Sequence, residues 1–139
     1  MRFMIIVKAT PDTEAGVMPE EERIAEMTTY HEDLCKAGAL LDASGLQPTS
    51  KGARVLFSPS GQRSVIDGPF AESKELIAGY TIIEVKSRDE AIAWAKRMPN
   101  PAGEGKEGEI ELRQLFELED FEPSESIDRL RRIETAPRA

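Results

Sequence analysis

Two short runs, "RFMIIVK" (Arg2 to Lys8) and "LIAGYTIIEV" (Leu76 to Val85), carry apolar side chains on both alternating faces. Successive side chains of a strand point to opposite sides, so a strand apolar on both sides has to be covered on both. Both runs are expected as central strands of one sheet, and the rest of the chain has to help cover them. With 139 residues, the chain has length for one domain with a single real core and no room for a second.

The first cover is a helix. Pro19 followed by Glu20, Glu21 and Glu22 places a proline at the first turn and acids at the positive end of a helix dipole. Plotted at about 100° per residue, Ile24, Met27, Thr28, His31, Leu34, Cys35 and Gly38 share a stripe, which turns His31 toward the protein body. A second helix starts at Ser87-Arg88-Asp89-Glu90, a capping box, and buries Ala91, Trp94, Ala95 and Met98 before Pro99 ends it. "ATPDTEAGVMP" reads as a turn-rich loop.

Between the helices, "GALLDASGLQP" supplies a second strand ending near Gly45-Leu46. "ARVLFS" and "RSVID" flank Pro59-Ser60-Gly61-Gln62 as a hairpin. "EIELRQLFEL" (Glu109 to Leu118) is expected as the last strand. Residues 122–139 form a polar tail, partly mobile, with a short helix around Ile127, Leu130 and Ile133. The order is β-α-β, an extra β-hairpin, then β-α-β, which makes residues 1–121 an α+β ferredoxin-like sandwich with both helices on one face. The sheet's other apolar face then calls for a second copy, so a face-to-face homodimer is expected.

Charge narrows the function classes. With a net charge of −8 and its densest basic cluster, Arg129, Arg131 and Arg132, interleaved with Asp128 and Glu134, the chain repels phosphate backbones, and no direct nucleic-acid partner is expected. The single Cys35 cannot form an internal disulfide, and the start of the chain has no cleavage-site pattern, which makes a cytoplasmic location the default. No apolar stretch approaches the roughly 18 residues of a membrane helix. One histidine and one cysteine give no zinc or iron–sulfur set, so no metal is expected, and no organic cofactor is expected either. The "GEGKEG" run from Gly103 matches a dinucleotide fingerprint letter for letter, but it leads into a strand rather than a helix and is set aside as a phosphate loop.

His31, the only histidine, has two readings: a hydrogen-bonded core residue, or a general acid or base oriented by Asp67 or Asp42. Asp67-Gly68-Pro69-Phe70 is a rigid turn, in which Gly68 frees the backbone, Pro69 fixes φ and Asp67 can bond the amides ahead of it. The charged run behind it places Glu72 and Lys74, with Asp67, at the mouth of the second central strand, a common position for binding side chains. Tyr80 on that strand and Arg113 on the last one complete the candidate substrate-binding set. Arg113 has Glu111 two residues away as a ready ion-pair partner.

"VIDGPFAESKELIAGYTIIEVKSRDEAIAWAKRMPNP" with "EIELRQLFELEDF", and upstream "YHEDLCKAGALLDASGLQPTSKGARVLFS", closely resembles the DGPF branch of the YCII-related family. The resemblance implies a dimeric ferredoxin-like α/β barrel. For function it implies either an acid–base enzyme acting on an unknown small molecule, or a non-catalytic module tied to transcription initiation through sigma-factor-like partners. In other members of that family the histidine falls one helical turn earlier, at Met27. The small-molecule reading, with His31 and Asp67 as catalytic candidates, is the leading expectation.

Overall fold

The computed structural model describes residues 1–71 and 74–137. In chain order the elements are β1 (Arg2–Lys8), α1 (Pro11–Glu14), α2 (Glu21–Lys36), β2 (Leu40–Gly45), β3 (Ala53–Phe57), β4 (Arg63–Asp67), β5 (Ile77–Glu84), α3 (Arg88–Arg97), β6 (Ile110–Gln114) and α4 (Glu125–Thr135). Four strands form one antiparallel sheet in the order β2-β5-β1-β6, with β1 pairing Phe3 to both Ile83 and Gln114. The two runs apolar on both faces are thus the two inner strands. β3 and β4 pair only with each other, as a separate two-stranded ribbon.

The alternation along β1 and β5 decides where the helices lie. Phe3 and Ile5 from β1 and Ile83 from β5 point to one side, where they pack with Val85, Tyr30 and Leu34 of α2, and Ala91 of α3 and Met98 just after it. Both helices therefore cover the same face, an arrangement compatible with a ferredoxin-like sandwich. Ile5, Leu34 and Ile83 are fully buried, and each contributes roughly 1.5–3 kcal/mol on leaving water. On the other face Met4, Ile6, Tyr80 and Ile82 are only half-buried. The sheet of one chain is open, edged by β2 and β6, and does not close into a barrel.

Several elements differ from the sequence reading. The stripe of α2 centres on Tyr30 and Leu34, which are buried, while Ile24 is 43% exposed and Cys35 is exposed. Tyr30 is admitted to the core because its hydroxyl donates to the Trp94 carbonyl oxygen at 2.7 Å, a partner that helical spacing cannot reveal. A one-turn helix, α1, interrupts the expected loop, held by Thr10 and Thr13, each side chain accepting from the other's backbone amide. At the start of α3, Ser87 Oγ accepts from the Glu90 amide, but Glu90 reaches one residue further back than in a capping box, to the Lys86 amide at 3.0 Å. β6 stops at Gln114, short of Leu118.

Burial pushes the Tyr30 phenol up from 10.0 to about 12, against a smaller lowering by Arg97. A folded-state pKa above the unfolded one gives stability that is intact below pH 10 and lost as pH rises through about 12. Tyr30→Phe is expected to lose about 0.5–1.5 kcal/mol at neutral pH, the net worth of its hydrogen bond. It should also lose less additional stability than the parent between neutral pH and about pH 11. Urea unfolding followed by Trp94 fluorescence at both pH values measures both effects.

Candidate functional site

His31 sits on the helix side of the sheet. Its Nδ1 lies 3.0 Å from the Met27 carbonyl oxygen and its Nε2 3.0 Å from Thr81 Oγ1. A carbonyl can only accept, so in the neutral ring Nδ1 carries the proton and Nε2 accepts from the Thr81 hydroxyl. Thr81, only 2% exposed, is the one buried polar side chain on that face among the described residues. Both ring nitrogens are occupied, and neither partner is a carboxylate.

The Asp67-Gly68-Pro69-Phe70 turn is anchored by a segment far from it in sequence. Glu14, on α1, accepts from both the Thr49 amide and the Thr49 hydroxyl. Thr49 Oγ1 in turn accepts from the Phe70 amide at 3.0 Å, and the Gly68 amide donates to the Gly52 carbonyl at 3.0 Å. A Cβ at position 68 would lie 1.7 Å from the Thr49 carbonyl oxygen, so the close approach of two backbones requires glycine there. Asp67 ends β4 with an exposed side chain, and among the described residues it makes none of the turn-amide bonds expected of it.

Beside this turn lies a groove of about 410 Å³ between the end of β2, the base of the ribbon and the start of β5. Leu46, Pro48, Phe70, Leu76 and Ile77 give it apolar walls, and Lys51, Arg54 and Glu75 are its charged members. The Arg54 guanidinium lies over the Phe70 ring, 3.9 Å from its centroid, a geometry that both holds the cation and stiffens the aromatic wall. The concavity has mostly apolar walls with a few charged groups and is open to solvent along much of its length.

A second polar set lies on the uncovered face of the sheet. Glu111 bonds Lys8 at 3.1 Å and Arg113 at 3.2 Å, and these cations, Lys8 first, hold its carboxyl below the usual carboxylate range. Across the sheet the Tyr80 hydroxyl donates to Asp42 at 3.3 Å. Among the described residues, no three His, Cys, Asp or Glu side chains group as metal ligands, and no helix is long and apolar enough to cross a membrane.

Comparison with known proteins gives a match to the YCII-related domain over residues 1–119. The chain belongs to the YCII-related family. It is also 34% identical over 104 residues to an uncharacterised protein of Rhizobium meliloti (strain 1021), covering 74% of this chain and 82% of that one. The matched region contains β1 through β6 and stops before α4.

Within this YCII-related domain the candidate residues fall into separate places. His31 is on α2 with its ring against Thr81 of β5, Tyr80 and Arg113 are on the opposite face of the sheet, and Asp67 is at the ribbon's base. Glu72 lies outside the described residues. Lys74 is exposed and does not line the groove, whereas its neighbour Glu75 does. Thr49, Glu14 and Leu46 are the residues that sequence reasoning missed. Only their meeting in three dimensions singles them out.

Gly68→Ala forces the ribbon base away from Thr49 and is expected to destabilise by about 1–3 kcal/mol, the range for overpacking. The measurements are urea unfolding and limited proteolysis, with faster cleavage expected around residues 49–70 and cleavage elsewhere unchanged.

Proposed function

We propose that this chain, a DGPF-bearing YCII-related protein, is a homodimeric small-molecule-binding protein whose ligand site is the groove beside the Asp67–Phe70 turn. The observation that carries this reading is the groove itself: apolar walls, charged members and a rigid, glycine-dependent turn on one side. Acid–base turnover is the further step of this reading. It would draw on His31 and Asp67, and His31 would first have to release Thr81 from Nε2. Binding is therefore the primary role and catalysis the secondary one. The alternative, a non-catalytic module in transcription, draws on α4, whose Leu130 and Ile133 are 45% and 69% exposed.

The test is a thermal-shift screen of a broad metabolite panel on the wild type, Leu46→Arg and His31→Asn. A ligand at about 100 times its Kd adds about 2.7 kcal/mol. Leu46 is already 45% exposed, so its replacement blocks the groove without unfolding the chain. A compound that shifts the wild type and His31→Asn but not Leu46→Arg establishes the groove as the binding site. Shifts retained by Leu46→Arg place the ligand elsewhere, and a flat panel sinks the binding role and turns attention to α4.

The homodimer reading rests on the uncovered face, where Met4, Ile6 and Ile82 form a half-buried apolar stripe between polar flanks. A second sheet laid over it would complete a barrel from two open sheets. Sedimentation is expected to give a dimer for the wild type and a folded monomer for Ile82→Glu. A monomeric wild type at high concentration would remove the homodimer.

A further inference from the structure

The β3–β4 ribbon is the part of the chain that its own fold accounts for least. All ten of its strand residues are exposed, yet Val55, Leu56, Phe57, Val65 and Ile66 among them are large and apolar. A two-stranded ribbon with nothing packed on it is marginal in water. The register sets Val55 opposite Val65 on one face, while Leu56 and Ile66 fall on the other. Phe70 stacks on Arg54 at the base of the second face, yet Val55, Leu56, Val65 and Ile66 stay 49%, 47%, 66% and 47% exposed.

The charge of this region is also opposite to that of the rest. From 43 to 67, the end of β4, the sequence holds Lys51, Arg54 and Arg63 against the single acid Asp67, so a region of net +2 in a chain of net −8 leaves −10 on the remainder. Arg63 lies over the Phe57 ring, 4.8 Å from its centroid, so cation and aromatic ring present together on one face. The acids concentrate at 12–33, where eight face a single arginine, Arg23. Inside that stretch Val17, Met18 and Ile24 are 56%, 79% and 43% exposed. One chain thus carries two bare apolar surfaces of opposite charge, and within the chain neither covers the other.

We propose that the β3–β4 ribbon is an arm that docks on the 17–26 segment of a second copy of this chain. Phe57 and Val65 pack on Met18 and Ile24, and Arg63 meets the acids from Glu20 to Glu22. Reciprocal docking of two arms satisfies two-fold symmetry, because each copy offers both surfaces. Opposite charges orient the encounter, and the apolar side chains supply the buried area. The proposal rests on the homodimer reading above but adds a contact separate from the shared sheet face.

The experiment pairs cysteines across the two copies in a Cys35→Ser background. Chains carrying Phe57→Cys alone and Met18→Cys alone are mixed, equilibrated and oxidised. Both positions are exposed, so helix content by circular dichroism should match the parent. The mixture is expected to give a disulfide-linked heterodimer that neither chain matches alone. Adding Arg63→Glu to the first chain should slow its formation about tenfold, and Glu21→Arg in the second should recover it. A wild type that sediments as a dimer while the mixture fails to cross-link overturns the arm and leaves the homodimer standing. A cross-link that forms equally fast with Arg63→Glu is collisional and overturns the arm as well. A monomer at every concentration overturns both.

Discussion

β1 is hydrogen-bonded along both edges, to β5 on one side and β6 on the other, and the four-stranded sheet with the helices packed on it depends on that fact. Its two neighbours come from the second half of the chain, so the sheet forms only when residues from 69 positions apart (Lys8 and Ile77) to 111 apart (Phe3 and Gln114) have met. The N-terminus is drawn into the same arrangement, with Met1 and Val85 exchanging backbone hydrogen bonds at 2.9 Å. Once β1 lies between its partners, the two-residue period sends Phe3 and Ile5 to one side and Met4 and Ile6 to the other. The helices then have one apolar floor to cover, and they both take the Phe3 and Ile5 side.

How much of this was legible depends on the range of the interaction. The inner strands, the hairpin and the start of α3 were readable because period, turn residues and caps are local. α1 was not, since a four-residue helix has no period and stands on the reciprocal bonds of Thr10 and Thr13. The facing of α2 is offset from the stripe its helical spacing predicts, because Tyr30 enters the core through a carbonyl 64 residues away.

The candidate site was legible in the same proportion. The Asp67–Phe70 turn was visible as a rigid feature, but its anchor was not, because Glu14, Thr49 and Phe70 are joined only by tertiary bonds. His31 was readable as inward-facing, and its partner Thr81 became identifiable only with the strand register. Asp67, Tyr80 and Arg113 were grouped by sequence neighbourhood and strand alternation, whereas the fold separates them between the ribbon base and the uncovered sheet face.

The ties between the two helices have a mechanical consequence. Tyr30 of α2 is bonded to the backbone of α3 at Trp94, Asp33 is paired with Arg97 at 3.1 Å, and Arg23 donates to the Pro101 carbonyl at 3.1 Å. Three links spread along α2, from its first turn to its last third, join it to α3 and the segment after it, so separating the two helices breaks polar bonds as well as apolar packing. The acidic first turn of α2 is in this way moored, through Arg23, to the segment that leads into the glycine-rich loop at 103–108.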